Sequence, residues 1–337
     1  MRSDKRDLFL RFAACFGGYL MMHDGMLSYR HLPAKYYEMT HYSFRREQSG
    51  ELAGLRRLRC FTMPDMHTLV KDEEQAKEEF LAHVRLSKKW LDDLGIQSQV
   101  AIRFVKSFLD KHPEIPDQVV DIMGQPALIE VWDQRFFYFV AKFECNFIDS
   151  LGKAACLSTT QIDVENAERF EIEYIDSDSQ KQHPLIMHTS VPGAIERNLY
   201  ALLEQQAINM KKGQKAALPF WLAPTQVRFV PVGESQLQRC LELAAACPFR
   251  ADVDDRHDLT LGKRIRSAEK SWTPLIAVVG NKEIEEGTVQ LRIRGQKQGE
   301  SSTPEALWER MNTLQAGLPT RSINLPREVS KRPIFVG

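Results

Sequence analysis

Three long strand-like segments follow one another between residues 127 and 176 with short connections. They read ALIEVW, RFFYFVAKFECNFID and STTQIDVENAERFEIEYID, and they are rich in the aromatic and β-branched residues that are enriched in strands. Parallel neighbours need a crossover connection of about a dozen residues or more, whereas antiparallel neighbours need only a turn. The short connections therefore predict a sheet that is largely antiparallel.

The flanking segments extend this sheet and supply helices. Residues 36–70 alternate like a hairpin, with YYEMTHYSFRRE as one strand, a glycine-containing loop, and RRLRCFTM as the return strand. Residues 73–94 place apolar side chains at helical spacing behind an acidic first turn. A second helix, PGAIERNLYALLEQQAI, is predicted to open just after Gly193.

The pattern changes near residue 215. The linker-like segment INMKKGQKAALPFW is followed by strands and helices in alternation, as in an α/β layer fold. We therefore predict an α+β chain with three parts. An antiparallel domain occupies residues 1–212, a small α/β domain occupies residues 213–318, and a tail occupies residues 319–337.

The charge of the chain excludes some classes of function. Its 337 residues carry 45 Lys and Arg against 45 Asp and Glu, so it is not a globally basic nucleic-acid binder. The C-terminal portion is modestly basic, with 18 Lys and Arg against 14 Asp and Glu in residues 213–337. This excess of four positive charges weakly favours a polyanionic partner.

The cysteines and the apolar runs predict a cytoplasmic location. The 6 cysteines include no CxxC pair, which favours reduced thiols. No apolar run reaches the roughly 18 residues of a membrane span. The apolar N-terminal stretch contains Arg11 and lacks the small-residue cleavage site of a signal peptide.

One stretch, FRREQSGELAGLRRLRCFTMPDMHT, concentrates five arginines around the predicted hairpin loop. Side chains two residues apart on a strand share a face, so Arg45 lies beside Glu47, and Arg57, Arg59 and Phe61 line up on the return strand. Guanidinium groups match phosphate oxygens, and an aromatic ring suits a stacked base. Ordinary charge pairs on a solvated strand are the alternative, but crowded arginines repel one another without an anion. We interpret the stretch as a nucleoside triphosphate site without a Gly-rich phosphate loop.

These residues resemble a known family. R-x-E on one strand, a Ser-Gly-x-Leu-x-Gly-Leu loop, R-x-R-x-F-T and Asp-x-His resemble motif 2 of class II aminoacyl-tRNA synthetases, specifically of archaeal-type threonyl-tRNA synthetases. Further segments resemble that family in the expected order: FLRFAACFGG, DSLGKAA, STTQIDVENAERF, HTSVPGAIER and PFWLAPTQVRFVPV. The resemblance covers nearly the whole chain. It implies a truncated class II antiparallel sheet with helices, followed by an α/β anticodon-binding domain.

The resemblance implies an ATP site. Arg45 matches the arginine that binds the α-phosphate, and Glu47 matches the acid near the adenine amino group. Phe61 matches the ring that stacks on adenine. Arg57 matches an arginine on the γ-phosphate, and Arg197 matches the motif 3 arginine on the other side of the triphosphate.

Two metal ions are implied as well. Glu130 lies where a ligand of the Mg²⁺ that accompanies ATP is expected, and Cys15, His67 and His188 match the three zinc ligands of the family. Taken singly, such residues are more often structural, and no short zinc-binding spacing joins them. One thiolate and two imidazoles leave a fourth position open, which is typical of a catalytic zinc rather than a structural one.

The open position implies how threonine is selected. An apolar pocket rejects an isostere by only about 10²-fold, whereas a zinc that binds both the amino and the hydroxyl group excludes valine. Asp65 is implied to accept the hydroxyl proton, and Gln161 to hydrogen bond the substrate. Serine lacks only a methyl group, worth roughly 1–3 kcal/mol, and is expected to pass. The family removes it in an editing domain, to which nothing in this sequence corresponds.

The second domain is implied to read the tRNA anticodon. Glu283 in GNKEIEEG and Arg292 in VQLRIRG match positions that contact anticodon bases in the family. Unstacked bases are read through groups that reach their Watson–Crick edges, and an acid with an arginine fits that task. From the residues alone, GNKE is equally a plain turn and QLRIR an ordinary exposed strand.

The sequence departs from the family in two respects. Motif 1, which builds the family's homodimer interface, is expected before FLRFAACFGG and is missing, and Cys156 stands where a polar residue is expected near the substrate. Three hypotheses remain. The first is a ligase for ATP, L-threonine and tRNA(Thr), and the second is a tRNA-binding module that is a fragment or half of a split enzyme. The third, another class II synthetase such as the prolyl type, is disfavoured by the zinc residues.

Overall fold

The computed structural model describes residues 2–3, 5–7, 13, 15–42 and 50–333. The chain divides into two compact units, Met1–Gln205 and Gln206–Gly337. No helix in the described ranges is long and apolar enough to cross a membrane.

The first unit contains many strands and few long helices. Its strands are β1 (Arg2–Ser3), β2 (Arg6–Asp7), β3 (Leu27–Ser28), β4 (Ala34–Tyr42), β5 (Phe61–Val70), β6 (Gln99–Val105), β7 (Ala127–Trp132), β8 (Phe139–Ile148), β9 (Ala154–Asp163), β10 (Tyr174–Ile175), β11 (Lys181–Gln182) and β12 (Leu185–Ser190). Its helices are α1 (Cys15–His23), α2 (Glu73–Leu94), α3 (Lys106–Lys111), α4 (Ile115–Met123), α5 (Asn166–Arg169) and α6 (Ile195–Lys211), the last of which continues into the second unit.

A seven-stranded sheet forms the centre of this unit, in the order β4-β5-β12-β9-β8-β6-β7. Every neighbouring pair is antiparallel except β6 and β7, which are parallel and are connected through α3 and α4. The prediction of a largely antiparallel sheet is therefore confirmed. The parallel pair follows the same rule, because α3 and α4 supply the crossover connection that parallel neighbours need.

Helix α2 covers one face of the sheet. Its first turn is capped by Asp72, whose side chain accepts a hydrogen bond from the amide of Gln75 at 2.8 Å. The helix ends at Gly95, which has the left-handed φ of 64° that favours glycine. The predicted apolar stripe packs against the sheet, since Ala76, Phe80, Val84 and Leu91 are all at most 2% exposed.

The side of the sheet that α2 covers fixes the orientation of the strands. Thr189 of β12 hydrogen bonds to His83 of α2, with 2.8 Å between Oγ1 and Nδ1. Successive side chains on a strand point to opposite faces, so His188 points away from α2. That second face carries the candidate site.

The return strand of the hairpin begins later than predicted. β5 starts at Phe61, and the prediction that Arg57 and Arg59 share its face is wrong. A tight turn intervenes, in which the amide of Ala53 donates to the carbonyl of Arg57 at 3.2 Å and the amide of Arg57 donates back to Ala53 at 3.2 Å. Gly54 has a left-handed φ of 49° in this turn, so the chain reverses before it can enter the sheet.

The third predicted strand is also shorter than its sequence pattern. β9 ends at Asp163, and the following segment forms α5 instead of continuing the strand. The cause is the Asp163 carboxylate, which accepts hydrogen bonds from the amides of Glu165 at 2.8 Å and Asn166 at 3.0 Å. Such local side-chain bonds to the backbone compete with the ladder and end the strand.

The second unit contains a five-stranded sheet in the order β14-β13-β15-β16-β17. Its strands are β13 (Val227–Pro231), β14 (Ala251–Val253), β15 (Leu275–Val279), β16 (Val289–Ile293) and β17 (Glu300–Ser302). Its helices are α7 (Leu237–Ala246), α8 (Leu261–Lys270), α9 (Asn281–Glu286) and α10 (Pro304–Gln315). The predicted α/β fold is confirmed, although α9 and β17 were not predicted.

The two faces of this second sheet pack against different helices. Side chains of α7 and α10 join Phe229 and Leu291 in one buried cluster, and Ala268 of α8 joins Ile276 in another. Arg292 of β16 pairs with Ile276 of β15, so its side chain lies on the α8 face. The tail returns to the edge of the sheet, where the carbonyl of Arg327 accepts the amide hydrogen of Val253 at 2.8 Å.

Candidate active site

One row of paired residues crosses the central sheet of the first unit. His67 of β5 pairs with His188 of β12, and His188 pairs with Gln161 of β9. Directly paired residues present their side chains to the same face. The whole row therefore lines the face opposite α2, and it runs through Tyr36, His67, His188, Gln161, Lys142, Arg103 and Glu130.

The structure brings Cys15, His67 and His188 together. One potential ligand atom of each residue lies within 4.8 Å of those of the other two. The two imidazole rings are 5.0 Å apart between centroids, and Cys15 approaches them from the start of α1. Tyr19, one turn further along α1, packs edge-on against both rings. Three residues that are distant in sequence thus form one cluster.

The donor atoms of this cluster suit a zinc ion. Burial raises the pKa of the Cys15 thiol to about 11 and lowers the pKa of the His67 imidazole to about 3. The imidazole is therefore neutral, with a lone pair to donate, and the thiol would lose its proton to a bound cation. In the described part of the chain, Nε2 of His67 is buried without a hydrogen-bond partner. An unpaired buried nitrogen costs about 1–3 kcal/mol, which coordination would remove.

Asp163 holds the ring of His188 in place. Its carboxylate accepts a hydrogen bond from Nε2 of His188 at 2.7 Å, which leaves Nδ1 as the nitrogen that can donate to a metal. Burial alone would raise the pKa of Asp163, but the hydrogen bonds from His188 and Asn166 outweigh it and hold that pKa below its ordinary value. A carboxylate on the second nitrogen is the usual support of a metal-binding histidine.

Asp65 and Glu38 form a pair of acids beside the cluster. They are directly opposite each other on β5 and β4, and their oxygens lie within 4.8 Å of each other and of a nitrogen of His67. Burial raises the pKa of Asp65 to about 6; the charge of His188 opposes this shift, and that of Glu38 adds to it. Among the described residues, Oε1 of Glu38 has no hydrogen-bond partner although it is buried.

Tyr138 borders a cavity next to the cluster and contacts Gln161. Tyr138 donates its hydroxyl hydrogen to Oε1 of Gln161 at 2.6 Å, and its ring lies 5.2 Å from that of His188. The cavity measures about 360 Å³, and Cys15, Tyr19, Tyr138 and His188 are among the residues that line it. Its size is in the range of small-molecule sites.

Two predicted ATP residues, Arg45 and Glu47, lie outside the described residues. Phe61, a third, pairs with Tyr42 at the loop end of the hairpin. The two rings are stacked, with centroids 5.0 Å apart and an interplanar angle of 20°. The aromatic surface at this end of the sheet therefore has two rings, of which sequence reasoning found one.

Arg197 connects the hairpin loop to β9. Its Nε donates to the carbonyl of Arg56 at 3.0 Å, and its Nη1 donates to the carbonyl of Cys156 at 2.9 Å. The neighbouring Glu196 accepts the amide hydrogen of Thr62 at 3.0 Å, so the start of α6 is tied to the start of β5. The structure thus brings Arg197 to the loop that carries Arg57.

Arg57 itself is engaged within that loop. Its Nη2 lies 2.9 Å from a carboxylate oxygen of Glu51, and the side chain of Arg57 is 45% exposed. An exposed pair of this kind is worth about 0–1 kcal/mol, so an incoming phosphate could displace Glu51 at little cost.

Glu130 lies at the far end of the row. Four strand spacings of about 4.8 Å separate it from His188, a distance of about 19 Å. Its carboxylate accepts hydrogen bonds from Nε of Arg103 and from Nε1 of Trp132, both at 2.7 Å. The structure does not bring this candidate Mg²⁺ ligand to the histidine cluster.

The two predicted base-reading residues lie in the second unit. Oε2 of Glu283 accepts the amide hydrogen of Gly280 at 2.9 Å and so caps its own helix, α9. Arg292 is on the adjoining strand β16 and lines a cavity of about 550 Å³. The short helix α9 explains why GNKE is not a plain turn.

Sequence reasoning missed several polar residues of the first unit's site. Asp163 lies two residues after Gln161 on a strand, and Tyr19 lies four residues after Cys15 on a helix, so both share a face with a predicted residue. Glu38 faces Asp65 through the register of the predicted hairpin. Tyr138 precedes β8, and no spacing rule points to it.

Comparison with protein families accounts for both units. Residues 1–206 match the family model of the tRNA synthetase class II core domain (G, H, P, S and T). The chain belongs to the class II tRNA synthetase family. Residues 226–314 match the family of the anticodon binding domain. The predicted order, a class II core followed by an anticodon-binding domain, is confirmed.

Curated relatives of this class II synthetase chain are threonine–tRNA ligases of archaea. It is 50% identical over 342 residues to the ligase of Methanothrix thermoacetophila, covering 100% of this chain and 55% of the relative. It is 51% identical over 341 residues to that of Pyrococcus horikoshii, covering 99% of this chain and 54% of the relative. The resemblance to archaeal threonyl-tRNA synthetases is thereby confirmed. The class II chain spans about half the length of the curated relatives it matches.

A solved structure has the same fold as this class II chain. It is the RNA binding domain of threonyl-tRNA synthetase from Cryptosporidium parvum Iowa II, with a TM-score of 0.77 and 23% identity, covering 95% of this chain and 80% of that one. At this identity the likeness concerns the fold alone.

Proposed function

We propose that this chain is a threonine–tRNA ligase, which activates L-threonine with ATP and transfers it to tRNA(Thr). The observation that carries the proposal is the cluster of Cys15, His67 and His188, with Asp65 and Gln161 around it, in a class II core. Its curated relatives at about half identity are threonine–tRNA ligases, which supports the choice of amino acid.

The cluster gives the proposal its specificity for threonine. A zinc ion held by Cys15, His67 and His188 would supply a Lewis-acidic position that binds the amino nitrogen and the hydroxyl of the substrate. Asp65 accepts the hydroxyl hydrogen, and Gln161 hydrogen bonds the substrate from the next strand. Valine has no hydroxyl to offer, so it leaves buried polar groups unpaired and is rejected.

The activation step needs positioning and charge neutralisation more than acid–base chemistry. The carboxylate of threonine attacks the α-phosphorus of ATP, a C–O–P linkage forms, and the bond to pyrophosphate breaks. The carboxylate is already ionised near neutral pH, so no protein base is required. Phe61 stacks on adenine, Glu47 binds its amino group, and Arg45, Arg57 and Arg197, with Mg²⁺, neutralise the phosphates.

The second step transfers threonine to RNA. The terminal ribose hydroxyl of tRNA attacks the carbonyl carbon of the adenylate, and AMP leaves. The second unit holds the anticodon loop at the same time, with Glu283 and Arg292 contacting its bases. In this proposal residues 1–212 carry the chemistry, and residues 213–318 select the tRNA.

Threonine-dependent exchange of pyrophosphate into ATP, with stoichiometric zinc, tests the proposal. We expect exchange with threonine, weaker exchange with serine and none above background with valine. Arg45→Ala should abolish exchange because the α-phosphate loses its main cation. Arg85→Ala, which removes an exposed arginine of α2 on the other side of the sheet, is the control and should retain it. Normal exchange in Arg45→Ala would contradict the assigned role.

A second candidate is a tRNA-binding chain without ligase activity. The match of residues 226–314 to the anticodon binding domain supports it independently of the zinc cluster. Binding of tRNA(Thr) without any threonine-dependent exchange would favour this second function over the first.

A further inference from the structure

A polar cavity in the second unit is rich in cations. It measures about 550 Å³ and lies where the segment after α6 meets the end of α8 and the turn after β16. Four basic residues line it, namely Lys215, Arg292, Arg294 and Lys297, and Glu269 is the one acidic residue among the described lining. Four basic side chains and one acidic side chain leave a formal excess of three positive charges.

Protein carboxylates offset these cations only in part, since the charge of Glu269 acts on Arg294 alone. In residues 50–333, none of the four forms an ion pair with an acidic side chain, whereas the buried Arg228 of the same unit has a bidentate partner in Asp252 at 2.8 Å. The guanidinium of Arg294 instead donates to two backbone carbonyls, those of Ala216 at 2.5 Å and Glu269 at 2.7 Å. Carbonyl groups orient a guanidinium without cancelling its charge.

We infer that this cavity is a binding site for a phosphate group. Arginine forks and lysine ammonium groups are the side chains that recognise phosphate oxygens. Lys215, Arg292 and Lys297 are exposed and approach the cavity from two loops and a strand, so an anion can reach all three from solvent. The amide side chains of Gln214 and Gln296 add neutral donors to the lining.

The phosphate most consistent with the site belongs to a single RNA strand. Arg292 lines the cavity and is also the residue that we propose to contact an anticodon base. Each nucleotide carries a phosphate beside its base, so a strand held at Arg292 brings a phosphate to the same side of the sheet. The source of the phosphate rests on the proposed function, whereas the existence of the site rests on the cavity alone.

Charge removal at the two loop lysines tests the site in the full chain. The variants are Lys215→Gln, Lys297→Gln and their combination, and Lys331→Gln is the control because it is an exposed lysine of the same unit outside the cavity. The probe is an RNA stem-loop that carries a threonine anticodon, and its binding is followed by fluorescence anisotropy over a salt series. Each lost phosphate contact should reduce the slope of log K against log salt by about 0.7.

Binding of inorganic phosphate to the same variants, followed by calorimetry, separates the two sources. Reduced RNA affinity with a smaller slope assigns the phosphate to the strand. An effect confined to inorganic phosphate assigns it to a free ion. Both outcomes support the site. If neither arm differs from Lys331→Gln, the inference is overturned.

Pyrophosphate exchange in the same variants keeps the two proposals distinguishable. It takes place in the first unit, so the lysine variants should exchange like the unmodified chain. An inactive chain whose RNA binding still depends on Lys215 and Lys297 would refute the ligase and leave the phosphate site standing. An active chain whose RNA binding does not depend on Lys215 and Lys297 would support the ligase and refute the phosphate site.

Discussion

The histidine cluster and the basic cavity are both groups of ionisable side chains, but their surroundings are opposite. His67 is 2% exposed, and burial displaces the pKa values of His67 and Cys15 far from their ordinary range. The second group is different, because Lys215, Arg292 and Lys297 are exposed to solvent. Desolvation therefore sets the chemistry of the first group, whereas salt screens the charges of the second. Substitutions in the two places should differ in size and in the conditions that reveal them.

The largest effect is expected from removing a ligand of the histidine cluster. His188→Ala leaves one thiol and one imidazole, so zinc affinity should fall by more than about 100-fold, beyond the loss typical of a residue that only supports a ligand. Competition with a chromogenic chelator measures that affinity. His183→Ala, which removes another histidine of the first unit outside the cluster, should bind zinc normally. Equal affinity in both variants would remove His188 from the ligand set.

A smaller loss is expected when the ligand stays and its support changes. Asp163→Asn keeps an oxygen that can accept backbone hydrogen bonds, but it removes the charge that orients His188, and zinc affinity should fall by about 10- to 100-fold. Asp176→Asn is the matched control, because that carboxylate also accepts two backbone amides, at 2.8 and 2.9 Å, in an exposed turn. A loss of the same size in Asp176→Asn would mean that turn geometry, not the histidine contact, matters.

Burial also predicts a pH effect on stability through His83, on the other face of the sheet. Burial is the main reason that the pKa of His83 is lowered to about 4; the charge of Glu79 opposes this shift and that of Lys35 adds to it. The folded protein therefore keeps His83 neutral while the unfolded chain protonates it. The contribution of neutral His83 to the free energy of unfolding is complete above the unfolded pKa near 6.5. It is lost as pH falls from 6.5 towards 4.

The size of this loss is about 2 kcal/mol between pH 7 and pH 5. His83→Gln should show a shallower decline than the unmodified chain by that amount, as measured by hydrogen exchange of α2 peptides over a urea series at each pH. His183→Gln, in an exposed position, serves as the control. Parallel stability curves for His83→Gln and the unmodified chain would disprove the contribution.

The smallest effect on stability is expected in the basic cavity. Replacing the exposed Lys215 and Lys297 by Gln should change the free energy of unfolding by less than about 0.5 kcal/mol, because no buried contact is lost. Urea unfolding at low and moderate salt measures this, and relief of the repulsion between cations should make any gain larger at low salt. A loss of several kcal/mol would show that these lysines are structural and would weaken the contrast between the two regions.

Local patterns predicted the elements that they control directly. The apolar spacing of residues 73–94 gave a helix with the bounds that α2 has, and the short connections gave an antiparallel sheet. The patterns failed where a single side chain or turn decided the outcome. The strand-like sequence pattern continues past Asp163, although the carboxylate of this residue ends β9. The pattern of the return strand includes Arg57, although the turn at Gly54 keeps that residue out of β5.

The candidate site was accessible from sequence only in part. Family resemblance selected Cys15, His67 and His188, since no spacing rule joins residues so far apart. It did not select Glu38, Asp163 or Tyr138, which the structure adds around them. Glu130 was selected, yet the sheet holds it about 19 Å from His188 by strand spacing.

The sequence by itself determined the kind of elements, the division into an antiparallel and an α/β unit, and the family to which the chain belongs. Strand register and helix docking, which depend on pairing between distant segments, decided the rest. They brought together a cysteine near the start of the described chain and two histidines more than a hundred residues apart in one cluster. They also placed four cations and only one acidic residue, Glu269, among the described residues that line one cavity of the second unit.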